Sequence, residues 1–158
     1  MHGRYFLKIG GMAGESQDVI HKGEIELISW HWKMAQSSSM VSGSGGGMGK
    51  ATINDLQFVH QIDRASPNLM RYCLTGRRIP EATLSVRKSG GQPLDFLTIT
   101  MGDVLITAVE PIVFDYNYHE SVTLSFARVK QEYTIQSQSG GSSGTVTASF
   151  DIRENREQ

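Results

Sequence analysis

Apolar residues recur every second position along most of the chain, which predicts strands. Tyr5 to Ile9 is a short one. Glu24 to Met34 is longer: Ile25 and Leu27 alternate with Glu24 and Glu26, and then the apolar set becomes Ile28, Trp30 and Trp32, against Ser29, His31 and Lys33. A one-residue slip exchanges the two faces of a strand, and a β-bulge is the usual way to absorb it. Ala51 to Gln61 resumes the pattern with Ile53 and Phe58 inward, and from Glu81 the set Ala82, Leu84 and Val86 alternates with Thr83, Ser85 and Arg87. Phe96–Met101 and Val104–Val109 are expected as two strands joined by a tight Gly102-Asp103 turn. Val122, Leu124 and Phe126 share a face, the phase slips again, and Val129, Gln131, Tyr133 and Ile135 share the next. Thr145 to Ile152 is the last strand, before a charged tail.

One helix interrupts this order. Ser66 is the expected N-cap, Pro67 takes the first helical position and Gly76 the C-terminal stop, with Leu69, Met70, Cys73 and Leu74 on one face. Between the strands, 36–50 is rich in serine and glycine, Gly90-Gly91-Gln92-Pro93 reads as a turn, and Gly140 to Gly144 reads as a loop. The sum is a mainly β fold, a barrel or tight sandwich of about eight strands with one short α-helix packed at its side, in a single domain spanning 1–158.

Composition narrows the function. The 158 residues carry a net charge of −1, so no basic field draws nucleic acid. The single cysteine, Cys73, closes no intrachain disulfide. Lys8 interrupts the first apolar run, so a signal-peptide core is not expected, and no stretch is long and apolar enough for a membrane helix.

Catalytic and cofactor patterns fail at named positions. The phosphate-loop motif needs glycine at Ser44 and a hydroxyl at Ala51, and Lys50 leads into a strand where the motif requires a helix. No dinucleotide-binding glycine pattern and no nucleophile elbow is present. His2, His21, His31, His60 and His119 lie at no metal-ligand spacing; His21, in a polar loop, reads as solvated. Glu24, Glu26, Asp95 and Asp103 read as solvated faces and turns rather than a glycosidase pair. No catalytic residue, cofactor or metal is therefore expected. What remains is a set of short polar side chains, Ser29, His31, Thr83, Ser85, Thr123 and Ser125, suited to a smooth, nearly uncharged surface.

Several runs, taken in order, carry a resemblance: Phe6-Leu7-Lys8-Ile9-Gly10, Trp30-His31-Trp32, the Gly43 to Lys50 loop, Ile62-Asp63-Arg64-Ala65-Ser66-Pro67-Asn68-Leu69-Met70, Leu84-Ser85-Val86-Arg87-Lys88-Ser89-Gly90-Gly91 and Val122-Thr123-Leu124-Ser125-Phe126-Ala127. From about Tyr5 to Arg153 the chain resembles the hemolysin-coregulated protein (Hcp) family, the tube subunit of type VI secretion. The resemblance implies a closed barrel with a side helix. It also implies hexameric rings stacked head to tail into a tube, with a VgrG-like spike protein at the tip, a contractile sheath outside and small effectors held in the lumen. Such a subunit is cytoplasmic until it is secreted through the type VI machine. By position, Ser29 and His31 fall on the lumen strand, where many members carry a small residue between the tryptophans, so an imidazole narrows the lumen. The extended loop, with Ser37, Ser38, Ser39, Met40, Gly43, Gly45, Gly46, Gly47, Met48 and Gly49, would reach neighbouring subunits and rings. The segment Glu110 to His119 carries three aromatics where the family has a glycine-rich loop, and is expected either as an interface patch or, the reading favoured, as a longer hairpin with a packed tip. Two alternatives stand beside the tube subunit: an effector receptor or chaperone without a tube role, and a carbohydrate-binding or hydrolytic β-domain.

Overall fold

The computed structural model describes residues 4–38, 50–88, 94–138 and 141–158. Among the described residues, ten strands and one helix follow in order: β1 (Tyr5–Ile9), β2 (Ile25–His31), β3 (Met34–Gln36), β4 (Ala51–Ile53), β5 (Leu56–Gln61), α1 (Ser66–Thr75), β6 (Ile79–Arg87), β7 (Asp95–Phe114), β8 (Asn117–Gln136), β9 (Ser142–Asp151) and β10 (Arg156–Glu157). All pairings are antiparallel. Six strands close a ring in the order β1-β2-β5-β8-β7-β6, the last pairing again with β1. β9 and β10 extend the sheet outside the ring from β8. β3 and β4 form a separate two-stranded arm.

The closed barrel and side helix match the expectation; several strand boundaries do not, and β10 lies in the tail expected to follow the last strand. The expected turn at Gly102-Asp103 is absent. β7 runs through it as one 20-residue strand, Asp103 takes φ 55, and Arg128 lies over Gly102. Inward residues shift there from Ile99 and Met101 to Val104 and Ile106. Directly opposite, β8 shifts from Phe126 to Ala127 and Val129, while the ladder keeps its register from Met101↔Val129 to Val104↔Phe126. Both strands change phase at one level, so pairing survives. The slip after Leu27 is a bulge, as expected: Leu27 pairs with His60 and Ser29 with Val59, leaving Ile28 as the extra residue. It projects outward, so it does not join the inward tryptophans. Finally, Glu24–Met34 and Ala51–Gln61 each break in two. At the break the Asn54 N–H donates to the Lys33 carbonyl and Trp32 Nε1 donates to the Asn54 carbonyl, 2.8 Å.

The core fills the ring. Leu7, Ile9, Ile25, Leu27, Phe58, Leu84, Ile99, Met101, Ile106, Val122 and Leu124 meet inside it, each buried side chain contributing about 1.5–3 kcal/mol. The helix packs against β7 and adds Leu69, with Tyr72 and Cys73 partly buried behind it. Met70 and Leu74, expected on that face, are exposed instead. Ala65, not Ser66, is the N-cap; the Ser66 hydroxyl accepts from the Asp63 N–H while the Asp63 carboxylate accepts from the Ala65 N–H. Gly76, at φ 64, closes the helix as expected.

Two ionic groups are buried against the barrel. His60 continues the inward set Leu56 and Phe58, and its Nε2 lies 2.8 Å from Glu120 Oε1 on β8. Its Nδ1 is 3.8 Å from Asp63 Oδ1 and has no hydrogen-bond partner among the described residues. Burial lowers the imidazole pKa, but the carboxylates of Asp63 and Glu120 outweigh it, and the net displacement is upward. On the outer surface, the segment between β1 and β2 folds back over Phe6. There Arg87 binds Asp18 through two nitrogens, at 2.6 and 2.8 Å, and holds that carboxyl well below the usual range. His21 is buried in the same cluster, not solvated as its polar surroundings suggest: its ring stacks on Phe6, which turns the loop inward around it.

A raised histidine pKa stabilises the fold most where unfolded histidine is also protonated. His60 therefore contributes fully below about pH 6.5, and the contribution fades as pH rises through the raised folded value. His60→Gln is expected to lose about 2 kcal/mol at pH 6. In paired urea titrations the gap from wild type should narrow steadily above that pH; a constant gap would show that the imidazole charge is not involved.

Candidate functional site

One wall of the ring, β2-β5-β8-β7, presents a face of short polar side chains. Its cross-strand rows can be read from the register. His31 pairs with Gln57, Gln57 with Thr123 and Thr123 with Ala108; Ser29 pairs with Val59, Val59 with Ser121 and Ser121 with Glu110. Period-two alternation turns these residues away from Phe58, Val122 and Leu124, which fill the core. Gln57 Nε2 donates to the Ser121 hydroxyl at 2.7 Å. The Thr107 hydroxyl, on the extra residue of a second bulge, lies 3.3 Å from both an Asp55 carboxylate oxygen and the Thr123 carbonyl. Within these two rows Glu110 is the sole carboxylate, so the wall is smooth and nearly neutral.

Ser29 and His31 are both exposed on this face, as expected. Trp30 and Trp32 point the other way and pack against the core; the Trp32 ring meets Phe126 edge-on at 5.8 Å. Thr123 and Ser125 belong to the same wall, but Thr83 and Ser85 do not. They lie on β6, across the barrel, and Ser85 is buried beside its ladder partner Phe6. Of the extended loop, Ser37 and Ser38 are exposed at the end of the β3–β4 arm, and the Ser37 hydroxyl accepts from the Lys50 N–H at 3.1 Å. Ser39, Met40, Gly43, Gly45, Gly46, Gly47, Met48 and Gly49 lie outside the described residues, as does the turn expected at Gly90 to Pro93.

Two features went unread in the sequence. An apolar groove of about 370 Å³ runs between the β3–β4 arm and the β8–β9 sheet, lined by Trp32, Met34, Ile53, Val129 and Phe150. It forms because the arm splits from β2 and β5, a break that strand periodicity hides. The second is the hairpin tip. Asp115 and Tyr116 both take positive φ, 49 and 67, and Phe114 pairs with Asn117, which is the two-residue type I′ geometry. The hairpin is present, yet its tip is not packed: Phe114 is 71% and Tyr116 89% exposed, with Val113 and Tyr118 also open. The ladder with β5 ends at Gln61↔His119, so among the described residues no strand flanks the tip.

No cluster of His, Cys, Asp and Glu suited to a metal occurs among the described residues. The face offers lining and contact chemistry: hydroxyls, amides and one imidazole on a rigid ladder.

A family model described as "Type VI secretion system effector, Hcp" matches residues 6–133. The chain belongs to the Hcp family. A curated relative, protein hcp1 of Pseudomonas aeruginosa, is 41% identical over 154 residues, 95% of each chain. Among solved structures, Hcp1 from Salmonella typhimurium is 45% identical with both chains fully covered and a TM-score of 0.83. A type VI secretion system effector from Yersinia pestis is 36% identical, with 94% of this chain and 99% of that one covered and a TM-score of 0.78. The barrel with strands outside the ring and one short helix is the Hcp fold, and the chain is a secreted protein of the type VI system.

The open hairpin tip gives a direct test of what its aromatics do in the isolated chain. Phe114→Ser with Tyr116→Ser is expected to change monomer stability by no more than about 0.5 kcal/mol, because neither ring is buried. Urea unfolding at low protein concentration reads this; a loss several times larger would mean that the rings pack within the subunit.

Proposed function

We propose that this chain is the one-domain structural subunit of a type VI secretion tube. It forms hexameric rings that stack into a tube delivered into target cells, with a role other than catalysis. The observation that carries the reading is the smooth wall around Ser29, His31, Gln57 and Thr123, a surface able to line a channel without trapping what passes. The edges of that wall support ring formation. Among the described residues, Ser29 to His31 pair on one side alone, with β5, and Leu105 to Phe114 pair with β8 alone. Such unpaired strand edges offer backbone donors and acceptors to a neighbour.

In this reading Ser29 and His31 face the lumen, where small effectors would be held, and the loop from Ser37 to Gly49 reaches the next subunit or ring. The spike protein and the contractile sheath are the partners at the tip and the outer surface. The protein stays in the cytoplasm until the machine fires. A receptor or chaperone role uses the same ring, so the cargo-holding half of the proposal is separable from the tube half.

The deciding measurement is native mass, together with negative-stain images of the purified chain. Annular particles near six subunits in mass are expected; a monomer at high protein concentration refutes the tube. Ser29→Asp or His31→Asp should leave the ring intact while lowering the level of a co-expressed effector several-fold. Unchanged levels for every candidate effector would remove the cargo role and leave the ring.

A further inference from the structure

The chain between β1 and β2, 10–24, is laid against the barrel wall around one buried imidazole. His21 is 5% exposed and its ring stacks on Phe6, centroids 4.4 Å apart and planes 13° apart. Its Nδ1 is 3.0 Å from Glu24 Oε1 and its Nε2 is 2.9 Å from Asp95 Oδ2. A neutral imidazole carries one N–H, so one of these contacts would set a ring lone pair against a carboxylate oxygen. Only the imidazolium donates to both.

The surrounding charges favour the same state. Asp18 and Glu24 face the ring from the loop, Arg87 from β6 and Asp95 from β7, while β1 contributes only the Phe6 ring. Arg87 is engaged by Asp18 and stands 3.8 Å from Asp95, so a single guanidinium stands among a cluster of three carboxylates and reaches two of them. With His21 charged the cluster sums to −1, and with His21 neutral to −2, around a buried ring. Burial opposes the charge on His21, and the hydrogen bonds and charges of Glu24 and Asp95 more than offset it.

We propose that His21 is a proton-operated latch: as an imidazolium it ties the loop to β7 through Asp95, and loss of its proton frees the 19–24 side of the loop. The Asp18–Arg87 pair keeps its charges over the same range and stays closed, so the loop opens on one side and remains attached. The latch also sets a surface. Val19, 93% exposed, and Ile20 lie between Asp18 and His21, and the Asp18 carboxylate accepts from the N–H groups of Ile20 and His21. Two apolar side chains are thereby displayed to solvent while the latch is closed, and lose their fixed placement when it opens.

The contribution of a raised histidine is complete below about pH 6.5 and lost as pH rises through the folded value. The test uses the full chain with labelled histidine. Long-range nitrogen–proton spectra should show both His21 ring nitrogens protonated at pH 6.5, the ordinary histidine value, and titrating above it. The amides of Ser16 and Gly23, which bond to the Glu24 and Ser16 carbonyls, should lose protection about tenfold or more with the same midpoint. Asp95→Asn should move both midpoints down together, a response that a purely structural contact would not give. His21→Gln should abolish the pH step in loop exchange. A His21 ring that titrates at or below the ordinary histidine value, or loop amides indifferent to its titration, overturns the proposal. Because neither readout depends on ring formation, the latch stands or falls apart from the tube assignment.

Discussion

Everything in this structure hangs on the double-length ladder between β7 and β8. Each strand has 20 residues, and the pair is continuous from Leu97↔Tyr133 to Phe114↔Asn117. One half of β8 borders β5 and completes the ring; the other half borders β9 and carries the outer strands. One half of β7 borders β6, and the other half pairs with β8 alone among the described residues. The same two strands therefore close the core, extend the sheet beyond it and project the exposed hairpin. Such a ribbon can serve two sheets only if its side chains change face partway. That is what the coupled phase change at Asp103 and Ala127 does, and the bulge at Thr107 makes a further adjustment toward the hairpin.

Around this ribbon the polar interior is disposed with economy. His60 and Glu120 meet inside the barrel across the β5–β8 ladder, and the Asp18–Arg87 and His21–Asp95 contacts fasten a long connection to the outside wall. Each arrangement places histidine between carboxylates, so charge and geometry reinforce each other and desolvation is compensated locally. The wall bearing Ser29 and His31 is built differently. Hydroxyls and amides dominate it, and Gln57 donates to Ser121 within it. An inert wall and a charged fastening thus occupy separate parts of one small barrel.

Much of this was legible in the alternation of side chains. The five residues of β1 were read to their ends, the Leu27 slip was a real bulge, and the outward placement of Ser29 and His31 followed from the period alone. The Gly102-Asp103 dipeptide misled because it carries local hairpin chemistry, including a residue that tolerates positive φ. The corrective signal was the slip after Phe126, which matters only once the two strands are known to be opposite. His21 was misread for a related reason: loops have no period, and its partner Asp95 is 74 residues away. Likewise Thr83 and Ser85 share a pattern with Thr123 and Ser125 but sit on another wall, since periodicity reports which face a residue takes and not which strands are neighbours.

The length of the ribbon has a mechanical consequence. At about 3.4 Å per residue, 20 paired residues reach close to 65 Å, several times the width of one strand pair. Rungs of antiparallel hydrogen bonds lie across the strand axis. A pull along that axis loads many rungs at once, whereas a pull across it opens them one after another. The molecule is consequently stiffest along its longest element, and force entering at the hairpin tip is carried past the core to the outer strands without crossing a loop.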